Sequence, residues 1–191
     1  MTFDSMYDGI PPWDIGRPQK EIVKAVKRGE ISGKVLDVGC GTGEHVMYLA
    51  GLVQEVWGID FSPKAIKRAN ENAERRKISA NFLVLDALQL QSLEEKFDSI
   101  VDSGLFHVFS DKERLEFSQS LSSVLKSGGS YHMLCFSDKE PKDWGGPRRI
   151  TQKEIRDTFK DWRINYVREA RFESNFHEDG GMAWFSYLTK V

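Results

Sequence analysis

Leu36-Asp37-Val38-Gly39-Cys40-Gly41-Thr42-Gly43-Glu44-His45 decides how the rest of this chain is read. The apolar run Lys34–Val38, broken by one acid, ends in a glycine cluster, and helix formers resume over Glu44–Leu52. Glycine lets a chain turn sharply after a strand and brings backbone N–H groups against a ligand with no Cβ in the way. Strand, glycine turn and helix start together are the opening of a βαβ unit, whose ligands bind beyond the carboxyl ends of the strands.

Working outward, the same alternation continues. Glu55–Ile59 reads as a second strand closed by Asp60, and Ser62-Pro63 as a helix start, a hydroxyl cap followed by proline, running to Arg76. Asn81–Leu85 is a third strand ending in Asp86, and Phe97–Val101 a fourth ending in Asp102-Ser103-Gly104. Asp111 is placed to cap a helix with Leu115, Leu121 and Leu125 at helical spacing, stopped by Gly128-Gly129 before a fifth strand, Ser130–Phe136. Thr151 with Glu154 has the capping-box spacing. Two β-rich runs, Arg163–Phe172 and Met182–Thr189, close the chain across a turn at Ser174–Met182. Such alternation predicts an α/β fold, a mostly parallel sheet with helices on both faces, the last pair requiring one antiparallel strand.

Composition bounds the function. With 191 residues, 40% hydrophobic, 29% charged and a formal net charge of -2, the chain suits one soluble domain. It lacks the basic excess of a nucleic-acid or anionic-membrane binder. Met1–Trp13 has no basic region followed by an apolar stretch, so no secretory leader is expected, and no segment is apolar for long enough to span a bilayer. Cys40 and Cys135 have no metal-ligand spacing and read as buried thiols of a cytoplasmic protein. His45, His132 and His177 form no metal set, because no pair has helical or short-loop spacing.

The glycine loop also discriminates between ligands. A dinucleotide fingerprint needs glycine at 44, where this chain has Glu44, with its third glycine one residue early at Gly43. A carboxylate at that helix start repels a pyrophosphate, yet suits a ligand carrying a sulfonium and an ammonium. That weighs against a nucleotide-dependent oxidoreductase and for S-adenosylmethionine. Asp60 is placed to accept hydrogen bonds from ribose hydroxyls, and Asp86 to fix an adenine edge with Ala87 and Leu88 packing on the ring. Taken singly, each aspartate could equally be a turn or helix cap.

The order LDVGCGTGEH (36–45), VWGIDFSP (56–63), FLVLDAL (82–88), FDSIVDSGLFHVF (97–109) and LKSGGSYHMLCFSD (125–138) resembles the class I S-adenosylmethionine-dependent methyltransferases. The lead-in Tyr7-Asp8-Gly9-Ile10-Pro11-Pro12-Trp13-Asp14 resembles, more particularly, the thiopurine, thiol and halide methyltransferase branch and similar small bacterial enzymes. The resemblance implies a Rossmann-like sheet of order 3-2-1-4-5-7-6 with strand 7 antiparallel. It implies one methyltransferase domain over 1–191, with residues 1–30 as a cover and 34–191 as the core. It further implies in-line methyl transfer to a small-molecule thiol, hydroxyl or heterocycle, with Trp13, Asp37, Gly39, Cys40, Gly41, Gly43, Asp60, Phe61, Asp86, Ala87 and Ser103 at the cofactor.

For the acceptor, His107 is the candidate base, with packing against the next helix as the competing role. Arg17, Phe106, Trp144, Arg148 and Arg149 are the candidate substrate contacts, joined by Phe176 on the closing turn. No metal is expected, and the oligomer is a monomer or homodimer. A non-catalytic partner subunit that keeps the cofactor remains an alternative, against which the intact glycine loop, Asp60 and Asp86 speak.

Overall fold

A computed structural model describes residues 3–143 and 145–191. Its centre is a seven-stranded sheet of order β3-β2-β1-β4-β5-β7-β6. The strands are β1 (Lys34–Val38), β2 (Glu55–Asp60), β3 (Asn81–Val84), β4 (Phe97–Ser103), β5 (Leu125–Phe136), β6 (Arg163–Ser174) and β7 (His177–Thr189). β1 to β5 run parallel, and β7 inserts antiparallel between β5 and β6. The α-helices among the described residues are α1 (Phe3–Met6), α2 (Lys20–Lys27), α3 (Glu44–Leu49), α4 (Pro63–Arg76), α5 (Asp111–Val124) and α6 (Gln152–Thr158). Among the described residues no helix is long and apolar enough to cross a membrane.

The period of two along each strand divides the core. Leu36, Ile100, Tyr131 and Leu188 occupy one register row and pack with Phe117, Leu121 and Phe159 beneath α5 and α6. Val35, Val101, Leu134 and Phe185 face the other way, onto Ile22, Val46, Leu49 and Ile66 of α2, α3 and α4. In α4, Ala65, Ile66, Ala69 and Ala73 form the buried stripe, while Ser62 accepts the Ala65 N–H and Lys77 closes the helix in the left-handed region.

Four boundaries differ from the sequence reading. α3 stops at Leu49 rather than Leu52, because Gly51 turns the chain at φ +84°. Ser110, not Asp111, caps α5: its hydroxyl accepts the Glu113 N–H while Glu113 returns to the Ser110 N–H. Gly128-Gly129 does not stop that helix. β5 has already begun at Leu125 opposite Phe97, and residues 126–129 bulge out before pairing resumes at Ser130 opposite Ser99. Gly128 N–H and Gly129 C=O are satisfied by Lys190 across the sheet. Finally, β6 and β7 extend into the expected loop and meet in a tight hairpin over Ser174–His177, with Gly180 bulging at φ +74°.

Candidate active site

The carboxyl ends of β1, β2 and β4 converge on the glycine loop. Gly39, Gly41 and Gly43 have φ of +70°, +54° and +86°, conformations that side chains strain to adopt. Space is short as well: a Cβ on Gly43 would lie 2.8 Å from the Phe82 ring, where something must shift, and one on Gly41 a tight 3.1 Å from the Tyr7 hydroxyl. Asp60 pins the loop to the tip of β2, its Oδ2 accepting the Gly41 N–H at 2.9 Å and its Oδ1 the Ser62 N–H at 2.8 Å. Burial pushes the Asp60 carboxyl above its usual range, and those two donors oppose the push. Asp86 accepts the Leu88 N–H at 2.9 Å and so starts the 3-10 turn Ala87–Leu93.

Beneath the loop, Asp37 is 1% exposed and its Oδ2 has no hydrogen-bond partner. The nearest basic nitrogen is His45 Nδ1, at 3.7 Å, whose Nε2 accepts the Gln19 N–H. Glu44 is held by Arg76 in a two-point ion pair of 2.6 and 2.9 Å. Cys40 is buried, and burial raises its thiol.

Two hollows meet here. A recess of about 50 Å³ lies between Trp13, Gln19, Gly39, Thr42, His45 and Phe172. A cavity of about 750 Å³ continues from it across Trp13, Gly39, Ser103 and Phe172. Asp60, Phe61, Asp86, Ala87 and Leu88 from the β2 and β3 tips line the cavity, as do His107, Phe109, Phe136, Arg148, Phe176 and His177. Trp13 reaches both hollows, its Nε1 donating to the Tyr7 hydroxyl at 3.2 Å. An orphaned buried carboxylate oxygen, a second buried acid and a cradle that any Cβ would fill suit a cationic adenosine derivative.

The acceptor end departs further from the sequence reading. His107 does line the cavity, but its Nδ1 accepts the Phe136 N–H at 3.1 Å, which places the ring proton on Nε2. Burial, aided by the Arg149 charge, drives its pKa down to about 3. The ring is a neutral hydrogen-bond donor, stacked on Phe136. Phe106 is fully buried against Phe159 and Arg114, so the substrate contact expected of it is not made. Arg149 turns inward too, donating to the carbonyls of Pro141, Gly145 and Pro147, which a carbonyl-rich loop demands. Arg17 is clasped by Glu173 through two bonds of 2.9 and 3.0 Å. Arg148 lies on the cavity wall with Asp111 and Glu154 as partners. Trp144 lies outside the described residues. Tyr7, Phe136, Phe172, Ser174 and His177 line the cavity without having been singled out as site residues, although Phe176 on the closing turn was.

Residues 35–129 match the family model described as a methyltransferase domain. The chain is also 34% identical to the 2-heptyl-1-hydroxyquinolin-4(1H)-one methyltransferase of Mycobacteroides abscessus, over 96% of this chain and 87% of that one. The chain belongs to the class I S-adenosylmethionine-dependent methyltransferases. It is 33% identical to the Arabidopsis thaliana protein named Probable thiol methyltransferase 2, over 76% of this chain and 65% of that one. A structure solved in work on the conversion of a disulfide bond into a thioacetal group during echinomycin biosynthesis superposes with a TM-score of 0.88 at 34% identity, covering 98% of this methyltransferase and 90% of that chain. The cofactor of the methyltransferase is accordingly S-adenosylmethionine, which supplies a methyl group on a sulfonium leaving group, and the acceptor is a small-molecule nucleophile.

Proposed function

We propose that this methyltransferase transfers its methyl group to a ring-borne hydroxyl, N-hydroxyl or thiol of a flat, largely apolar acceptor. The observation that carries the reading is the lining of the 750 Å³ cavity, in which Phe109, Phe136, Phe172 and Phe176 stand with two histidines, His107 and His177. The N-hydroxyquinolone in the name of the Mycobacteroides abscessus relative is a compound of this kind.

In this reading Asp60 binds the ribose, Asp86 and Ala87 meet the adenine with Phe61 over it, and Trp13 and Ser103 cover the junction. Asp37, beneath Gly39, Cys40, Gly41 and Gly43, sets a negative field around the methionine end. The residues then align the acceptor and exclude water, and positioning of this kind contributes roughly 7–11 kcal/mol to lowering a barrier. Residues 1–30 serve as the cover of a single domain over 1–191. Two buried free thiols, Cys40 and Cys135, fit a cytoplasmic enzyme that acts alone or as a homodimer, without nucleic acid or membrane as a partner.

Incubation with methyl-labelled cofactor and a panel of 2-heptyl-1-hydroxyquinolin-4(1H)-one, thiophenol and iodide tests the reading. Label is expected on the first two. Calorimetric binding of S-adenosylhomocysteine without transfer to any planar hydroxyl or thiol would point instead to a partner subunit.

A further inference from the structure

The geometry points to His177, oriented by Glu140 and relayed through Ser174, as the general base that takes the acceptor's proton. This rests on the functional reading above and names the group that widens its acceptor range to weakly acidic hydroxyls.

Three side chains make the arrangement. His177 Nε2 lies 3.3 Å from Glu140 Oε1, and its Nδ1 lies 3.1 Å from Ser174 Oγ. Glu140 is 5% exposed, and its other oxygen accepts the Met182 N–H, so the carboxylate is fixed by β7. A carboxylate beside Nε2 favours the neutral tautomer with its proton on that nitrogen, which turns the Nδ1 lone pair toward Ser174. Ser174 Oγ already accepts the Phe176 N–H at 3.3 Å, which leaves its own proton to point at Nδ1. A hydroxyl, a histidine and a carboxylate in series form the relay used to draw a proton from a nucleophile, here recognised by geometry rather than by order in the chain. Both Ser174 and His177 line the acceptor end of the cavity.

The contrast with His107 strengthens the assignment. Both rings flank Phe136, with centroids at 5.2 and 6.4 Å from it. His107 has its lone pair occupied by a backbone N–H and donates only. His177 has the complementary wiring. Glu140 stands beside the His177 ring, Arg149 acts on Glu140 from the loop, and neutral His107 lies across Phe136.

The step balances simply. The acceptor O–H bond breaks and its proton passes to Ser174 Oγ while the serine proton moves to His177 Nδ1, making an imidazolium against Glu140. The freed oxygen pair forms the new O–CH₃ bond as the methyl–sulfur bond breaks with its pair remaining on sulfur. The imidazolium then releases its proton to solvent.

Two acceptors and two variants test this: 2-naphthol, a weakly acidic planar hydroxyl, and the more acidic 2-heptyl-1-hydroxyquinolin-4(1H)-one, with His177→Gln and Glu140→Gln. With 2-naphthol at neutral pH, His177→Gln should lower kcat about a hundredfold, within the range of general-base catalysis. That deficit should shrink steadily as pH rises and the hydroxyl ionises in solution, and it should be smaller with the N-hydroxyquinolone. Affinity for 2-naphthol in the presence of S-adenosylhomocysteine, read by its fluorescence, should stay within about twofold of wild type. Glu140→Gln should show the same pH-dependent pattern, weaker in size. A deficit constant across pH, no deficit, or a loss confined to affinity would overturn the assignment. So would wild-type transfer to the N-hydroxyquinolone but none to 2-naphthol. Transfer to neither acceptor would defeat the functional reading itself.

Discussion

Asp60 shows how one carboxylate can hold both protein and ligand. Each of its oxygens accepts one backbone N–H, from Gly41 and from Ser62, each keeps accepting capacity, and the residue lines the cavity. Asp60→Ala should therefore weaken S-adenosylhomocysteine binding at least about tenfold in calorimetry and lower unfolding free energy by about 1–3 kcal/mol, the cost of orphaning buried donors. Unchanged affinity would remove Asp60 from the donor site. At this scale the sequence was readable where chemistry and strand ends coincide, as at Asp60 and Asp86. It was unreadable where direction mattered. Phe106 and His107 are neighbours after the same strand, yet one points into the core and the other onto the cavity. Nothing in the order of residues tells Arg148 from Arg149, which differ only in whether loop carbonyls or carboxylates claim the guanidinium.

Among the elements, the hairpin of β6 and β7 does more than finish the sheet. Glu173, near the end of β6, is bonded by Arg17 and Lys20. Against the upward push of burial, these partners hold its carboxyl down at about 2. Gln19 adds a two-way link, its Nε2 donating to Glu173 C=O at 2.8 Å and its Oε1 accepting the Glu173 N–H at 2.9 Å. Glu173→Ala should loosen the N-terminal segment around Arg17 and Lys20, whose side-chain clasp it removes, while the links to backbone through Gln19 and Asn175 remain. Hydrogen–deuterium exchange over residues 14–20 should then proceed several-fold faster than in wild type, and equal rates would show the clasp to be idle. The elements themselves were legible because apolar period and caps agree, as in α4 with Ser62, Pro63 and its alanine stripe. Two of the four slips were decided by a partner distant in sequence: Lys190 satisfied the glycines of β5, and pairing with β7 carried β6 past Phe172.

For the molecule as a whole, two buried histidines set an acid limit. His132 donates through Nε2 to the Glu30 carbonyl at 3.0 Å, stacks on Tyr187, and is driven by burial to a pKa of about 4. His107 is lower still, at about 3. Both are depressed below the unfolded value of 6.5, so the unfolded chain binds their protons first. Their stabilisation is complete above pH 6.5 and is lost as pH falls through the folded values. For His132 the shift corresponds to about 3 kcal/mol. Urea midpoints should drop between neutral pH and the acid end of that window, and His132→Leu should flatten the slope whatever its effect on absolute stability. An unchanged slope would locate the acid sensitivity elsewhere.

The tip of the closing hairpin is shared property. Asn175 takes Pro12 C=O on its backbone N–H at 2.8 Å and Asp14 C=O on its side chain at 2.9 Å, while Ser174 and His177 on either side look into the acceptor room. Donor lid and acceptor wall are thus seamed along one short stretch of backbone. An engineer who grafts a foreign tip to change what the enzyme methylates would have to bring residues 12–19 along with it, or watch the grip on the methyl donor slacken as the new specificity appears.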